Sequence, residues 1–380
     1  EESSGANGGR GGYEYALDVA NGVLYALPAL GYAAWENVTP LDTGNPDKTA
    51  LLIGDDRGGA PLYLWVGNKG LDSSGNPASD FLARNGLANG TLYAWKADNG
   101  DTTPQQFNGT GSSRSGTWVA MTNLTSIADQ DAEILSNGGF RFSRPEDVAT
   151  DPTDGTRAVM ASTGRGGLFP ADNWGTTYII DVDFDAGGNP TTANLDIVYD
   201  GDDAGGGQFA GPDFGLRSPD NLDWADDGFI YLQEDRSTSP GSLFGGTSGE
   251  EASIWKLDPG TGQLTRIAEM RRSAVPAGQV DVDPTDLGDW ETSGILDVSS
   301  LFGANPGSML LFDVQAHSLR GGPIDSQNLV QGGQLAILHQ QFETTTVPMM
   351  NTTVPNAAID PVFTVGETLP DGGSGYTPVG

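Results

Sequence analysis

Carboxylates recur at the places where short strands begin or end. Glu36 sits in Trp35-Glu36-Asn37, just ahead of a strand, and Asp55 and Asp56 follow the apolar run LLIG. Glu146 and Asp147 open the run VATD behind Arg144 and Pro145. Asp220 and Asn221 precede LDWADDG, and Glu234 and Asp235 close IYLQ. Oxygen ligands at this density suit hard cations such as Ca²⁺, Mg²⁺ or Fe³⁺. Taken singly, each acid reads as a solvated or turn-capping residue; recurrence at equivalent positions is what points to a metal. Arg144 could clamp a phosphate oxygen, or form a structural salt bridge to a neighbouring aspartate. If the site is catalytic, Glu36, Glu146 and Glu234 should converge within metal-bridging distance.

The elements that must hold these residues are strands. A loose unit recurs: an apolar strand, an Asp-Gly or Asn-Gly type turn, a second strand, and a strand ending in aspartate. Residues 50–69, 147–163, 176–190, 221–235, 253–267 and 307–317 follow it. Asp154-Gly155 and Asp227-Gly228 lie between alternating runs, where a tight hairpin demands positive φ. The turn of 142–164 is expected over Asp151–Gly155. With 56 glycines, 23 prolines and few amphipathic helical patterns among 380 residues, the chain reads as all-β. Units of strand, D-x-x-G turn and strand are what β-propeller blades produce, and loops from several blades would carry the acids to one channel mouth. Residues 1–12 lack apolar content and read as a flexible N-terminus. Residues 13–343 read as one propeller domain. Residues 344–380, rich in Thr, Pro, Val and Gly, read as an extended strap or a linker. Segments 70–90 and 98–116 read as long surface loops.

Composition narrows the function classes. Acidic residues number 51 against 18 basic, a net charge of −33. Such a surface repels nucleic acid and anionic lipid, and no apolar run is long enough to span a membrane. The same charge suits solubility in a salty or extracellular setting. There are no cysteines, which excludes disulfides and thiolate metal sites. The start at Glu1, without a signal peptide, fits a processed or truncated form. Other motifs are weaker. Asp181, Asp183 and Asp185 mimic an EF-hand start, but strand alternation explains their spacing equally well. The acidic run 279–291 is a candidate for a peripheral calcium site. His317 and His339 are the only histidines, too few for a His-rich zinc site. Glycosylation sequons begin at Asn37, Asn89, Asn108, Asn123 and Asn351.

Three segments together resemble a known family. FSRPEDVATDPTDGTRAVMASTG (142–164) is similar to the Arg-Pro-Glu segment of the PhoX-type alkaline phosphatases. SPDNLDWADDGFIYLQED (218–235) resembles that family's Pro-Asp-Asn segment. WETSGILDVSSLFGANPGSMLLFDVQAHSL (290–319) with LVQGGQLAILH (329–339) resembles the C-terminal part of a secreted branch. The resemblance implies a six-bladed propeller, secreted or periplasmic, that cleaves phosphate monoesters with iron and calcium at the channel mouth. Carried over by motif, it makes Glu146 a metal ligand, with Glu36, Asp55 or Asp56, and Glu234 or Asp235 as further acids. The family's histidine before the first glutamate is Trp35 here, and its iron-ligating cysteine has no counterpart. Calcium is therefore the expected ion and iron is disfavoured. Three function classes stay open, the first two being a metal-dependent phosphomonoesterase and a non-catalytic extracellular propeller that self-assembles through its N-terminus or C-terminal tail. Phytase-like and lactonase-like hydrolases are a third.

Overall fold

In a computed structural model, the structure describes residues 1–340 and the backbone of 363–365. Strand far outweighs helix, as expected. Most of the segment read as a C-terminal strap, with the sequon at Asn351, lies outside the described residues. The chain forms two compact units: residues 1–220 with 237–239, and residues 221–236 with 240–380.

The first unit opens with a hairpin of β1 (Tyr15–Asp18) and β2 (Val23–Ala26). Nine strands then form one sheet. They are β3 (Trp35–Leu41), β4 (Lys48–Asp55), β5 (Tyr63–Asn68), β6 (Gly90–Ala97), β7 (Ser113–Ala120), β8 (Pro145–Asp151), β9 (Asp154–Ser162), β10 (Thr176–Phe184) and β11 (Pro190–Asp200). Their order is β3-β4-β5-β6-β7-β11-β10-β9-β8, every pair antiparallel. The two ends of this order meet. Thr150 donates its backbone N–H to Thr39 Oγ1 at 3.1 Å and its hydroxyl to the Pro40 carbonyl at 2.6 Å. Asp42 N–H reaches the Gly155 carbonyl at 2.7 Å.

Burial on both faces explains the continuous apolar runs. Ala50, Leu52, Leu64 and Val66 pack with Trp95, Phe140, Phe142, Met160, Tyr178 and Ile180 in one core. The alternate residues Ile53, Tyr63, Trp65 and Leu92 face a second core with Leu27, Leu30, Trp35 and Ile134. Each fully buried large apolar side chain contributes about 1.5–3 kcal/mol. The helix Ile127–Asn137 covers that second face, started by Ser126, whose hydroxyl accepts from Asp129 N–H, and stopped by Gly138 at φ 71°. Its buried Gln130 accepts from Tyr32 N–H at 2.8 Å and donates to the Tyr63 hydroxyl at 3.1 Å. Residues 1–12, read as flexible, make defined contacts. Glu2 bridges Ala34, Gly12 bridges Ala33, and the terminal ammonium donates to the Tyr13 carbonyl at 2.9 Å.

The second unit holds most of β12 (Pro219–Trp224), with β13 (Ile230–Glu234), β14 (Ser253–Leu257) and β15 (Leu264–Met270). Further strands are β16 (Gln279–Asp281), β17 (Trp290–Asp297), β18 (Met309–Ala316), β19 (Leu319–Gly321), β20 (Gly332–His339) and β21 (Phe363–Val365). They pair as β12-β13-β14-β15-β21, β17-β18-β20 and β16-β19. Trp290, Phe312, Tyr231 and Leu310 anchor its core.

Local readings meet mixed outcomes. Gly228 takes φ 85°, as its turn requires. Gly155 does not have positive φ: Asp151 already pairs with Asp154, so Pro152 and Thr153 alone make the turn. Gly155 is needed for space instead, because a Cβ there would lie 2.8 Å from Asp42 Cβ. Of the segments read as loops, Phe81–Arg84 is a short helix and Ser113–Gly116 belong to β7.

Candidate metal centre

Glu36, Glu146 and Asp220 come together in the first unit: one carboxylate oxygen of each lies within 4.8 Å of the others. Each is the second residue of its strand, β3, β8 and β12, and each is followed by Asn or Asp. Two of the three are aimed by the same device. Between the pairs Trp35↔Asp55 and Val38↔Ile53, Glu36 and Asn37 oppose Gly54 alone. Between Pro145↔Ser162 and Val148↔Met160, Glu146 and Asp147 oppose Ala161 alone. A two-against-one bulge breaks strand alternation and redirects the side chain. Gly54 lets the strands close up, since a Cβ there would fall 1.9 Å from the Glu146 carbonyl oxygen.

The group is crowded with negative charge. Glu146 is 2% exposed and accepts the Thr163 hydroxyl at 2.7 Å. Burial, then the Asp220 charge, pushes its carboxyl well above the usual range, although the Arg144 guanidinium at 3.1 Å opposes this. Burial and the Asp56 charge also raise Glu36. Glu2 is pushed up to about 8 by burial, by Glu36 and by Asp56. Burial acts upward on Asp56 as well, but Arg144, whose Nε donates to it at 2.5 Å, holds it below the ordinary value. Arg144 also donates to the Ser237 hydroxyl at 2.8 Å. Buried carboxylates this close are stable together only if protonated or cation-bound.

The other residues singled out in the sequence are placed as follows. Asp55 is fully buried, accepts Ala34 N–H and is gripped by Arg57 at 2.6 Å; burial raises it to about 6. Its role is structural, next to the group. Asn221, Glu234 and Asp235 belong to the second unit. Asn221 Oδ1 accepts from the Ser293 hydroxyl at 2.5 Å and Gly294 N–H at 3.1 Å, and Glu234 accepts Ser253 N–H at 2.9 Å. Asp181 faces Arg157, and Asp185 caps its own turn by accepting Gly187 and Asn189 N–H, so the aspartates of that strand have other roles than an EF-hand. In the acidic run 279–291, Asp281 pairs with Arg272 and Asp286 with Arg236. His317 contacts Glu291 at 2.9 Å and Gln331 at 2.8 Å.

Sequence reasoning missed Glu2, Thr163 and Ser237. Glu2 stands in a Gly- and Ser-rich start with no periodicity, and only its bridge to Ala34 brings it near. Thr163 could have been found, as it directly follows β9, the strand that pairs with β8 behind Arg144.

The family model described as alkaline phosphatase PhoX matches residues 17–285. The chain belongs to the PhoX alkaline phosphatase family. No curated protein matches it significantly. Among solved structures it is similar to the GH74 xyloglucanase from Xanthomonas campestris at 17% identity, covering 87% of this chain and 42% of that one. The TM-score is 0.34, too low to carry an argument about fold or activity. The chain thus spans less than half the length of that xyloglucanase. Among the described residues no helix is long and apolar enough to cross a membrane.

Proposed function

We propose that this PhoX protein is a metal-dependent phosphomonoesterase whose cation is held by Glu36, Glu146 and Asp220. The observation that carries the reading is the approach of these three carboxylates within 4.8 Å, from the second positions of three strands. The donor set fits a hard cation: all oxygen, with Glu146 buried and Glu36 and Asp220 half-buried, and Arg144 against several acids. Calcium suits it without the thiolate that this cysteine-free chain lacks, and iron is not required. A bound cation would supply charge neutralisation at the phosphoryl oxygens and activate an oxygen nucleophile.

The chain's own residues do the positioning. Thr163 fixes the Glu146 carboxylate, and Gly54 and the paired bulges set its distance from Glu36. Arg144 is held between Asp56, Glu146 and Ser237, where its guanidinium could turn toward a phosphate oxygen. A net charge of −33 repels anionic esters, so local positive charge from cation and arginine must dominate at the site. The recurrence of the acid at the second strand position supports a propeller whose inner strands share one mouth. Six blades, and a secreted or periplasmic location, remain part of the proposal. A non-catalytic propeller is the second reading, favoured by one observation: Arg144 is already engaged by two carboxylates.

Elemental analysis of the undenatured, dialysed protein, with a phosphomonoester assay before and after chelation, tests the reading. We expect retained calcium, activity that chelation removes, and loss of both in Glu146→Gln. A protein that retains no metal and gains no activity with added calcium would overturn it.

A further inference from the structure

Ser237 lies in the stretch 237–239 that belongs to the first unit, and three of its hydrogen bonds join separate parts of the candidate centre. Its hydroxyl accepts from Arg144 Nη1 at 2.8 Å and donates to the Gly164 carbonyl at 2.9 Å. Its backbone N–H donates to Ser218 Oγ at 3.2 Å. Each partner adjoins a group that matters to the site. Arg144 directs Nε to Asp56 and Nη2 to Glu146, so its three nitrogens go to three different residues. Gly164 follows Thr163, whose hydroxyl Glu146 accepts at 2.7 Å. Ser218 stands two residues before Asp220.

Ser218 is held against its local preference. It is fully buried and takes φ 45°. A left-handed backbone is uncommon outside glycine and asparagine. A residue that precedes proline, as Ser218 precedes Pro219, is pushed toward extended conformations instead. Such a residue persists only where its surroundings over-determine it. Here the Ser218 N–H donates to the Trp174 carbonyl at 2.6 Å, and its Oγ accepts the Ser237 N–H.

We infer that Ser218 and Ser237 are positioning residues for the cation group. The left-handed turn at Ser218 delivers Asp220 to Glu146, and the Ser237 hydroxyl keeps one nitrogen of Arg144 off the carboxylates. Without that hydroxyl, Nη1 loses a neutral acceptor and the guanidinium turns further onto Asp56 and Glu146. There its charge competes with a cation for the same oxygens. The inference rests on the reading of Glu36, Glu146 and Asp220 as cation ligands.

The test measures calcium binding to the full chain by calorimetry and melting in chelator. Ser237→Ala should weaken calcium about tenfold, the size of one hydrogen bond to a charged group. Ser237→Thr, which keeps the hydroxyl, should bind calcium as the natural protein does. A residue that only supported the fold would lower the melting temperature in chelator and leave the calcium dissociation constant unchanged; that result overturns the inference. Ser218→Gly and Ser218→Ala both lack the hydroxyl, but only glycine takes the turn without strain, so it should melt a few degrees higher than alanine. Equal melting of the two removes the strained turn from the argument. Crystal structures of the metal-free natural protein and Ser237→Ala give a readout independent of calcium. If the guanidinium turns in the variant while the natural protein binds no calcium, the positioning of Arg144 stands and the cation reading falls. If Arg144 keeps its place in the variant, the role of Ser237 falls whatever calcium does.

Discussion

Replacing Glu146 by Gln should stabilise the protein without cations and destabilise it with them. Gln keeps the shape and can still accept the Thr163 hydroxyl, so the change isolates charge. At an effective dielectric constant of about 20, carboxylate charges at the 4.8 Å limit of this group repel by about 3.5 kcal/mol, so Glu36 and Asp220 together cost Glu146 about 7 kcal/mol or more. Arg144 at 3.1 Å returns about 5 kcal/mol on the same scale. The balance, about 2 kcal/mol against the charged form, has the same sign as the cost of burying it. In chelator at pH 8, Glu146→Gln should therefore melt several degrees higher, at about 2–4 °C per kcal/mol for a unit of this size. In calcium at a thousand times its dissociation constant, the natural protein gains about 4.1 kcal/mol, and the variant should lose most of that increment. The order of melting temperatures reverses between the two buffers. Scanning calorimetry in chelator and in calcium reads both. A variant that is less stable in chelator, with the same calcium increment as the natural protein, would refute the assignment of Glu146 to a cation.

Gly54→Ala should destabilise the first unit by about 1–3 kcal/mol or more and reduce calcium affinity, because its Cβ meets the backbone oxygen of Glu146 at 1.9 Å; thermal melts and calcium titration check both effects. Asp172 is raised to about 7, first by burial and then by Asp200 and Asp202, with the Ser143 and Thr176 hydroxyls opposing. A raised carboxyl favours the fold while protonated, so its contribution is lost as pH rises from about 4 through 7. Asp172→Asn should flatten that decline in urea unfolding at pH 5 and pH 8, and should be more stable at the higher pH.

What could be read from the residues alone was the type of element and the positions of its acids. The runs ALLIG and LYLWV are buried on both faces, which is why they show no clean alternation and still mark strands. The acids at strand starts were visible because Trp35-Glu36-Asn37, Pro145-Glu146-Asp147 and Pro219-Asp220-Asn221 share a pattern. Bulges were not visible: they depend on which residue a partner strand sets opposite, and nothing within Glu36-Asn37 reveals Gly54 across from it. For the same reason Gly155 was misread as a turn glycine, when proximity to Asp42 is what excludes a side chain there. Asp55 and Asp56 are adjacent in sequence and differ in fate. One is neutralised by Arg57 two residues on, the other by Arg144, a residue 88 positions away that local pattern cannot reach.

The seam where β3 meets β8 joins residues some 110 positions apart, as Thr39 and Thr150 show. Closing a loop of that length is entropically costly and slow, because it must wait for the intervening strands. Glu36 lies on one side of this seam and Glu146 on the other. An ion held between them would act as a removable cross-link, doing for a chain without cysteine what a disulfide does elsewhere. Such an ion would then serve folding as well as chemistry: the same event that arms the site would lock the last-formed junction of the sheet, and a protein stripped of its ion would open first at the place where it works.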